Sequence, residues 1–99
     1  MKNILKHISK TFDHRVRLGI MSALMVNDTI NFNGLKDLLG VTDGNLASHL
    51  KALEKENFIH IQKEFIDKKP NTKYSCTPAG RKAFKTHIDA LEQLIKHRA

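Results

Sequence analysis

The strongest structural signals of this chain lie in residues 31–57, NFNGLKDLLGVTDGNLASHLKALEKEN. Asn31 is a predicted helix N-cap, and Gly40 suits the left-handed residue that ends a helix. Only one residue separates this glycine from the next candidate cap, so the turn between the two helices is tight. A short helix joined in this way to a longer one predicts a helix-turn-helix over about residues 31–56.

The second helix of this pair has one apolar side and one small, polar side. Leu50 and Leu53 fall within about 40° of Leu46 at about 100° per residue, so we expect all three to anchor the helix in the core. The opposite side fits the major groove of B-DNA, which is about 12 Å wide and admits one α-helix. The candidate DNA-contacting residues, counted from a cap at Thr42 or Asp43, are Thr42, Gly44, Asn45, Ser48, His49, Lys51 and Lys55.

The residue types on that polar side suit contact with a nucleic acid. Small residues let the backbone approach the bases, Asn45 and Ser48 can donate and accept hydrogen bonds, and lysines can meet phosphates or guanine edges. His49 lies toward the core side and is a borderline contact. Lys51 and Lys55 alone would fit a solvated helix face, but the tight turn, the small polar residues and a basic hairpin together favour DNA.

After Asn57 the pattern changes to the alternation of β-strands. Residues 58–63 alternate, residues 67–71 have turn chemistry loaded with positive charge, and residues 72–76 alternate again. This pattern predicts a β-hairpin, or wing, over about residues 58–77. Its candidate contacts to the sugar-phosphate backbone or the minor groove are Lys68, Lys69, Thr72 and Lys73. A lysine-protected sheet edge that prevents aggregation is an alternative, and both roles are compatible.

Further elements are predicted on both sides of this region. Residues 3–12 are expected to form a short amphipathic helix, and we place Asp13 at the cap or in the first turn of the next one. Thr29 and Ile30 are expected to pair briefly as a strand. Thr77 followed by proline starts a C-terminal helix over about residues 78–98.

The C-terminal helix has a narrow apolar seam that resembles a coiled-coil stripe. We predict that this seam and the N-terminal helix hold two protomers together through Leu5, Ile8, Phe12, Phe84, Ile88, Leu91 and Ile95. One recognition helix reads only a few base pairs, whereas two copies related by a two-fold axis read half-sites about 34 Å apart on a pseudo-palindromic operator. The alternative is that the long helix packs back on its own domain.

Length, charge and cysteine content restrict the classes of protein to which this chain can belong. The 99 residues predict a single domain over residues 1–99, and 17 Lys+Arg against 10 Asp+Glu give a net charge of +7. This surplus predicts attraction to a polyanion, either a nucleic acid or an anionic membrane. One cysteine fits a reducing compartment, and the chain has neither an apolar run of about 20 residues nor a signal-peptide h-region. We therefore expect a cytoplasmic protein without a membrane segment.

Signals for catalysis, cofactors and metals are weak. No nucleotide-binding loop or convergent pair of catalytic side chains is present, and we predict neither an enzyme nor a cofactor. Cys76 alternates inward beside Tyr74 and is expected to be a buried thiol. The six histidines are scattered and predict no metal site. If the protein sensed a metal, the candidate ligands would be His87, Asp89 and Glu92. Met21 and Met25 are expected core residues, and a small-molecule effector remains without support.

Three runs of sequence together resemble a known family. They are residues 32–36, residues 42–54 with their Gly-Asn-Leu-x-x-His-Leu pattern, and residues 74–81 with Thr-Pro-x-Gly-Arg. They resemble the small single-domain winged-helix transcriptional regulators related to MarR and ArsR, as does Asp13–Leu18. The resemblance covers about residues 13–85.

This resemblance implies a homodimer joined through its terminal helices. It also implies a recognition helix at about 43–56 and a wing at about 64–73. One departure is Asn57, where many relatives have a glycine; asparagine tolerates the left-handed conformation required there.

These observations predict a mainly α fold with a small β-hairpin (α+β), arranged as a winged helix-turn-helix with an added C-terminal dimerisation helix. The expected function is that of a sequence-specific, double-stranded DNA-binding transcriptional regulator, acting as a homodimer on a pseudo-palindromic operator. The alternative is a winged-helix module that docks protein or RNA without operator recognition. RNA is the weaker option because the sequence predicts no exposed aromatic pair on a sheet.

Overall fold

The computed structural model describes residues 3–98, so residues 1, 2 and 99 of the predicted domain lie outside the described part. The helices are α1 (Arg15–Val26), α2 (Phe32–Leu39), α3 (Asp43–Lys55) and α4 (Pro78–Lys96), and the strands are β1 (Ile30–Asn31), β2 (Ile59–Ile66) and β3 (Lys69–Cys76). The strands form an antiparallel sheet in the order β1-β3-β2. The predicted α+β class and the C-terminal helix are confirmed.

The helix-turn-helix is stabilised by local helix-capping hydrogen bonds from residues that the sequence predicts as caps. The Asn31 side-chain oxygen accepts from the Gly34 N–H at 2.7 Å, and Gly40 ends α2 with a φ of 64°. The Thr42 hydroxyl oxygen accepts from the Asn45 N–H at 3.2 Å, which makes Thr42 the cap of α3. Asn31 therefore caps the start of α2, and Gly40 and Thr42 close the tight turn between α2 and α3, as the sequence predicts.

The inward side of α3 is buried as predicted. Leu46, Leu50 and Leu53 are each at most 2 % exposed. They join a core cluster whose other buried members include Val16, Ile20, Met21, Leu24, Leu35, Ile59, Tyr74 and Phe84. Burying a leucine side chain contributes about 1.5–3 kcal/mol, so these three side chains determine which side of α3 remains open to solvent.

A left-handed asparagine connects α3 to the hairpin. Asn57 has a φ of 61°, and the Phe58 N–H donates to the Leu53 carbonyl at 3.0 Å. Glycine is the usual residue in such a turn because it has no Cβ, but asparagine also adopts this conformation. The expected role of Asn57 is confirmed, and the chain passes directly from α3 into β2.

The hairpin spans the predicted range, but its two strands are longer and its turn is tighter than predicted. Strands β2 and β3 pair from Ile59 opposite Cys76 to Ile66 opposite Lys69. The turn consists of Asp67 and Lys68, with φ values of 51° and 64°. Two consecutive left-handed residues match the twist of paired strands, which lets pairing continue to the tip. Placing residues 69–71 in the turn was therefore wrong, because these residues belong to β3.

The N-terminal segment departs from the predicted helix. Within residues 3–12 the structure has only a 3-10 turn, Ile4–His7, followed by an extended Ile8. Phe12 is fully buried, with its ring centroid 5.0 Å from that of Phe58 and 5.3 Å from that of Phe84. Drawing Phe12 into the core favours an irregular chain over a regular amphipathic helix. Helix α1 is capped by His14, whose Nδ1 accepts from the Val16 N–H at 3.3 Å, and not by Asp13.

A buried histidine attaches this N-terminal segment to α4. His87 is 1 % exposed, and its Nδ1 accepts a hydrogen bond from the backbone N–H of Ser9 at 2.8 Å. Its ring centroid lies 5.6 Å from that of Phe12. Burial lowers the pKa of His87 below its ordinary value.

We predict that this histidine makes the fold sensitive to acid. The unfolded chain takes up a proton near the ordinary pKa of 6.5, whereas the folded chain resists it. Stability should therefore be lost as pH falls below about 6.5, by at most about 1.4 kcal/mol per pH unit from this group. His87→Gln keeps an acceptor but does not titrate, so chemical denaturation between about pH 5 and pH 7.5 should show a shallower pH dependence. An unchanged dependence in the variant would contradict this assignment.

Candidate nucleic-acid interface

The outward side of α3 carries the predicted contact residues on one surface. The structure leaves Thr42, Gly44, Asn45, Ser48, Lys51 and Lys55 exposed. A Cβ at Gly44 would meet no atom within 4 Å, so the backbone there is open to close approach. His49 is half-buried at the edge of this surface. The structure therefore brings the predicted residues of this helix together.

The wing carries two exposed lysines at its tip and a third, further along β3, that forms an ion pair. Lys68 and Lys69 are exposed, whereas Thr72 and Lys73 are half-buried. The Lys73 ammonium lies 3.6 Å from the Glu64 carboxylate, which offsets its charge. Lys68 and Lys69 are therefore the stronger candidates for contact with phosphates.

Two apolar residues near the tip were missed from the sequence. Phe65 is 78 % exposed and lies opposite Pro70 in the strand register, and its neighbour Ile66 is also exposed. Phe65 shares the two-residue alternation of Ile59 and Ile61, which Lys63 interrupts, and Ile66 lies on the opposite face of the strand. An exposed aromatic side chain at a basic tip adds apolar area to this part of the surface.

The start of α1 also contributes side chains that the sequence did not single out. The Arg17 Nε donates to His49 Nδ1 at 3.1 Å, and the ring centroids of His14 and His49 are 4.1 Å apart. Burial, His14 and Arg17 together lower the pKa of His49, in that order of importance. Arg17 and His49 are 32 positions apart, so no local pattern in the sequence could have paired them.

One ion pair links the two helices of the helix-turn-helix. The Lys36 ammonium lies 2.9 Å from a carboxylate oxygen of Asp43, and the hydrogen bond between them raises the pKa of Lys36. Asp43 is in the first turn of α3, where a negative charge also interacts favourably with the helix dipole. The negative charge of Asp43, which lies beside the outward side of α3, is therefore already paired with Lys36.

Comparison with known proteins agrees with this geometry. The model of a family described as winged helix DNA-binding domain matches residues 16–95, which is most of the chain. The chain belongs to this winged-helix family. Helix α3 is the second helix of its helix-turn-helix, and the β2–β3 hairpin is its wing.

Individual relatives place this winged-helix chain among transcriptional regulators. It is similar to a transcriptional regulator homologue from Pyrococcus horikoshii OT3, with 32 % identity, a TM-score of 0.84 and coverage of 95 % of this chain and 91 % of that one. A MarR-family protein from Enterococcus faecalis V583 is 27 % identical with a TM-score of 0.66, over 93 % and 76 % of the two chains. An uncharacterized protein of Methanocaldococcus jannaschii is 40 % identical over 88 residues, which are 89 % of this chain and 96 % of that protein. The predicted relationship to MarR is confirmed.

The winged-helix chain uses two of the predicted dimer residues in its own core. Phe12 and Phe84 are buried against each other, so assigning them to a contact between protomers was wrong. The remaining five stay at or near the surface: Leu5, Ile88 and Ile95 are exposed, and Ile8 and Leu91 are half-buried.

Other chemistry is limited in the part of the winged-helix chain that the structure describes. Tyr74 is buried as predicted and Cys76 is half-buried, and burial raises the pKa of the Cys76 thiol. Within residues 3–98, no three His, Cys, Asp or Glu side chains lie close enough to hold a metal ion. None of the helices described is long and apolar enough to cross a membrane.

Proposed function

We propose that this protein is a sequence-specific regulator of transcription that binds double-stranded DNA as a homodimer on a pseudo-palindromic operator. One observation carries the proposal. Leu46, Leu50 and Leu53 anchor α3 in the core and leave its small, basic side exposed, and the lysine-tipped wing begins with the strand that follows α3 and contacts it. The proposal assigns no enzymatic reaction, and it places the protein in the cytoplasm with its DNA.

Helix α3 has the side chains needed to read base edges. Asn45 and Ser48 are exposed donors and acceptors on its first two turns, and Gly44 allows the backbone to approach the groove floor. Lys51 follows on the same side and can reach a phosphate or a guanine edge. In this proposal α3 supplies specificity, and the lysines supply affinity.

The wing supplies affinity that does not depend on sequence. We predict that Lys68→Ala with Lys69→Ala weakens binding to unrelated duplexes by similar factors. The slope of log K against log salt should become shallower by roughly 0.9 for each phosphate that the wing no longer neutralises, because fewer counterions are released. Fluorescence anisotropy over a salt series on two duplexes would measure both effects.

A matched control separates wing contact from net charge. Lys82→Ala with Lys85→Ala removes the same charge from exposed positions on α4. The control should keep the wild-type slope. Equal slopes for the wing variant and the wild-type protein would contradict a phosphate contact at the tip.

The exposed apolar side chains near the two ends of the chain support a homodimer. The N-terminal 3-10 turn packs on α4, and Leu5, Ile88, Leu94 and Ile95 all remain exposed there. Water-exposed apolar side chains grouped on neighbouring elements mark interaction surfaces. A second copy is the partner that a palindromic site requires, because a C2 dimer presents two identical recognition helices.

We predict that Ile95→Glu separates the protomers. Ile95 is 85 % exposed, so a charge there should leave the single protomer folded but oppose an apolar contact between copies. Sedimentation velocity should show a shift from dimer to monomer with an unchanged circular dichroism spectrum. Val26→Glu, at an equally exposed valine on α1, should stay dimeric. A dimer that survives Ile95→Glu would show that the contact lies elsewhere.

The alternative function, a winged-helix module that docks protein or RNA, gives a different result in the same titrations. Such a module would show neither a steep salt dependence on duplex DNA nor a preferred DNA sequence. It would also be indifferent to changes on the outward side of α3.

A further inference from the structure

Three basic side chains meet where the start of α1 lies against α3. They are His14, Arg17 and His49. Arg17 donates from Nε to His49 Nδ1 at 3.1 Å and from Nη1 to the Thr11 carbonyl at 3.3 Å. The imidazole rings lie 4.1 Å apart at an interplanar angle of 44°. None of the ion pairs found within residues 3–98 involves these side chains.

The hydrogen bonds determine which ring nitrogens carry hydrogen. Nδ1 of His49 accepts from Arg17, and Nδ1 of His14 accepts from the Val16 N–H at 3.3 Å. A nitrogen that accepts carries no hydrogen, so each neutral ring must carry its hydrogen on Nε2. Neither Nε2 takes part in a hydrogen bond with any residue of the described chain. The pair therefore offers two N–H donors.

The surroundings of these donors indicate an anionic ligand. A surface cleft of about 400 Å³ reaches His14, whose ring lies beside that of His49. The cleft is lined by His14, Arg15, Val16, Gly40, Val41, Thr42 and Asn45. Asn45 lies one turn before His49 on α3, on the surface proposed to face the bases. When a helix lies in the major groove, a sugar-phosphate backbone borders it on each side. In that arrangement, donors at the edge of the outward side of α3 would lie beside the sugar-phosphate backbone.

We propose that His14 and His49 form a phosphodiester site, in which the Nε2–H groups of both rings donate to one DNA phosphate beside the recognition helix. Arg17 is a positioning residue, which holds His49 in the required tautomer and orientation from behind. The proposal rests on the proposed DNA-binding function. Its consequence is that this phosphate contact fixes the depth and register of α3 in the groove, since contacts to phosphates position a protein on the duplex.

The test scans single neutral methylphosphonates along a duplex enriched by the wild-type protein. One phosphate in each half-site should give a penalty of at least about tenfold in the wild-type protein, because the neutral replacement removes the charge that both Nε2–H donors contact. His49→Phe keeps the ring but lacks the donor, so the same replacement should cost it less than about twofold. His60→Phe, on an exposed histidine of β2, should retain the full penalty.

A second variant distinguishes loss of the phosphate contact from loss of the folded structure. His14→Asn keeps a favoured helix cap but removes the Nε2 donor, so it should lose sensitivity at the same phosphate with an unchanged melting temperature. Wild-type penalties at every phosphate in both variants would overturn the site while leaving the proposed function intact. A wild-type protein that enriches no duplex sequence would instead overturn the proposed function.

Discussion

Gly80→Ala should strongly destabilise the folded protein. A Cβ at this position would lie 2.0 Å from the carbonyl oxygen of Phe58 and 2.7 Å from its carbonyl carbon. These are backbone atoms, so a rotamer change cannot relieve the clash. The start of α4 is also held in place, because Thr77 donates its N–H to the Phe58 carbonyl at 3.1 Å and its hydroxyl to the Asn57 carbonyl at 2.7 Å.

The expected destabilisation is at least about 3 kcal/mol, a large part of the roughly 5–15 kcal/mol that stabilises a domain. Thermal and chemical denaturation would measure it. Gly44→Ala is the matched control, because a Cβ at that helical position meets no atom within 4 Å and should stabilise the protein by up to about 1 kcal/mol. A Gly80→Ala protein that melts with the wild type would show that the packing between α4 and the start of β2 is looser than described.

Lys51→Glu should have the largest effect on DNA binding. Lys51 is exposed on the outward side of α3, so the substitution removes an attraction to phosphate or guanine and adds a repulsive charge. Each half-site should lose roughly 1.4 kcal/mol or more, and a dimer on two half-sites should lose at least about 100-fold in affinity. Electrophoretic mobility shift or anisotropy titration would show the weaker binding, and the melting temperature should stay the same.

Lys85→Glu makes the same change in net charge on α4. Lys85 is exposed and pairs only loosely with Asp89, at 3.8 Å, so its replacement costs little stability. Long-range electrostatic attraction to DNA should fall similarly in both variants, which leaves the local interaction of Lys51 as the difference. Equal affinities for the two variants would place the DNA away from α3.

Elements specified by neighbouring residues could be predicted from the sequence. The caps at Asn31, Thr42 and Thr77 and the left-handed Gly40 and Asn57 act within a few residues of themselves. The leucines of α3 share one side because of helical periodicity alone. These signals specify the helix-turn-helix and the start of α4, which together define the outward side of α3.

Elements specified by distant partners could not be predicted. Phe12 leaves the expected amphipathic helix because Phe58 and Phe84, far along the chain, provide its environment. The partnership of Arg17 with His49 depends on how α1 crosses α3, which no local pattern encodes. The lengths of the two wing strands were underestimated for a related reason, because Lys69 has the character of a turn residue and its pairing with Ile66 depends on the opposite strand.

Selection of bound sequences from a random duplex library asks whether the outward side of α3 reads DNA. We expect the wild-type protein to enrich an inverted repeat whose half-sites are centred about 34 Å apart, roughly one helical turn. Asn45→Ala or Ser48→Ala should change the enriched bases inside each half-site without changing their spacing. A pool that binds but stays random, or identical motifs for the wild type and both variants, would show that α3 does not select the sequence.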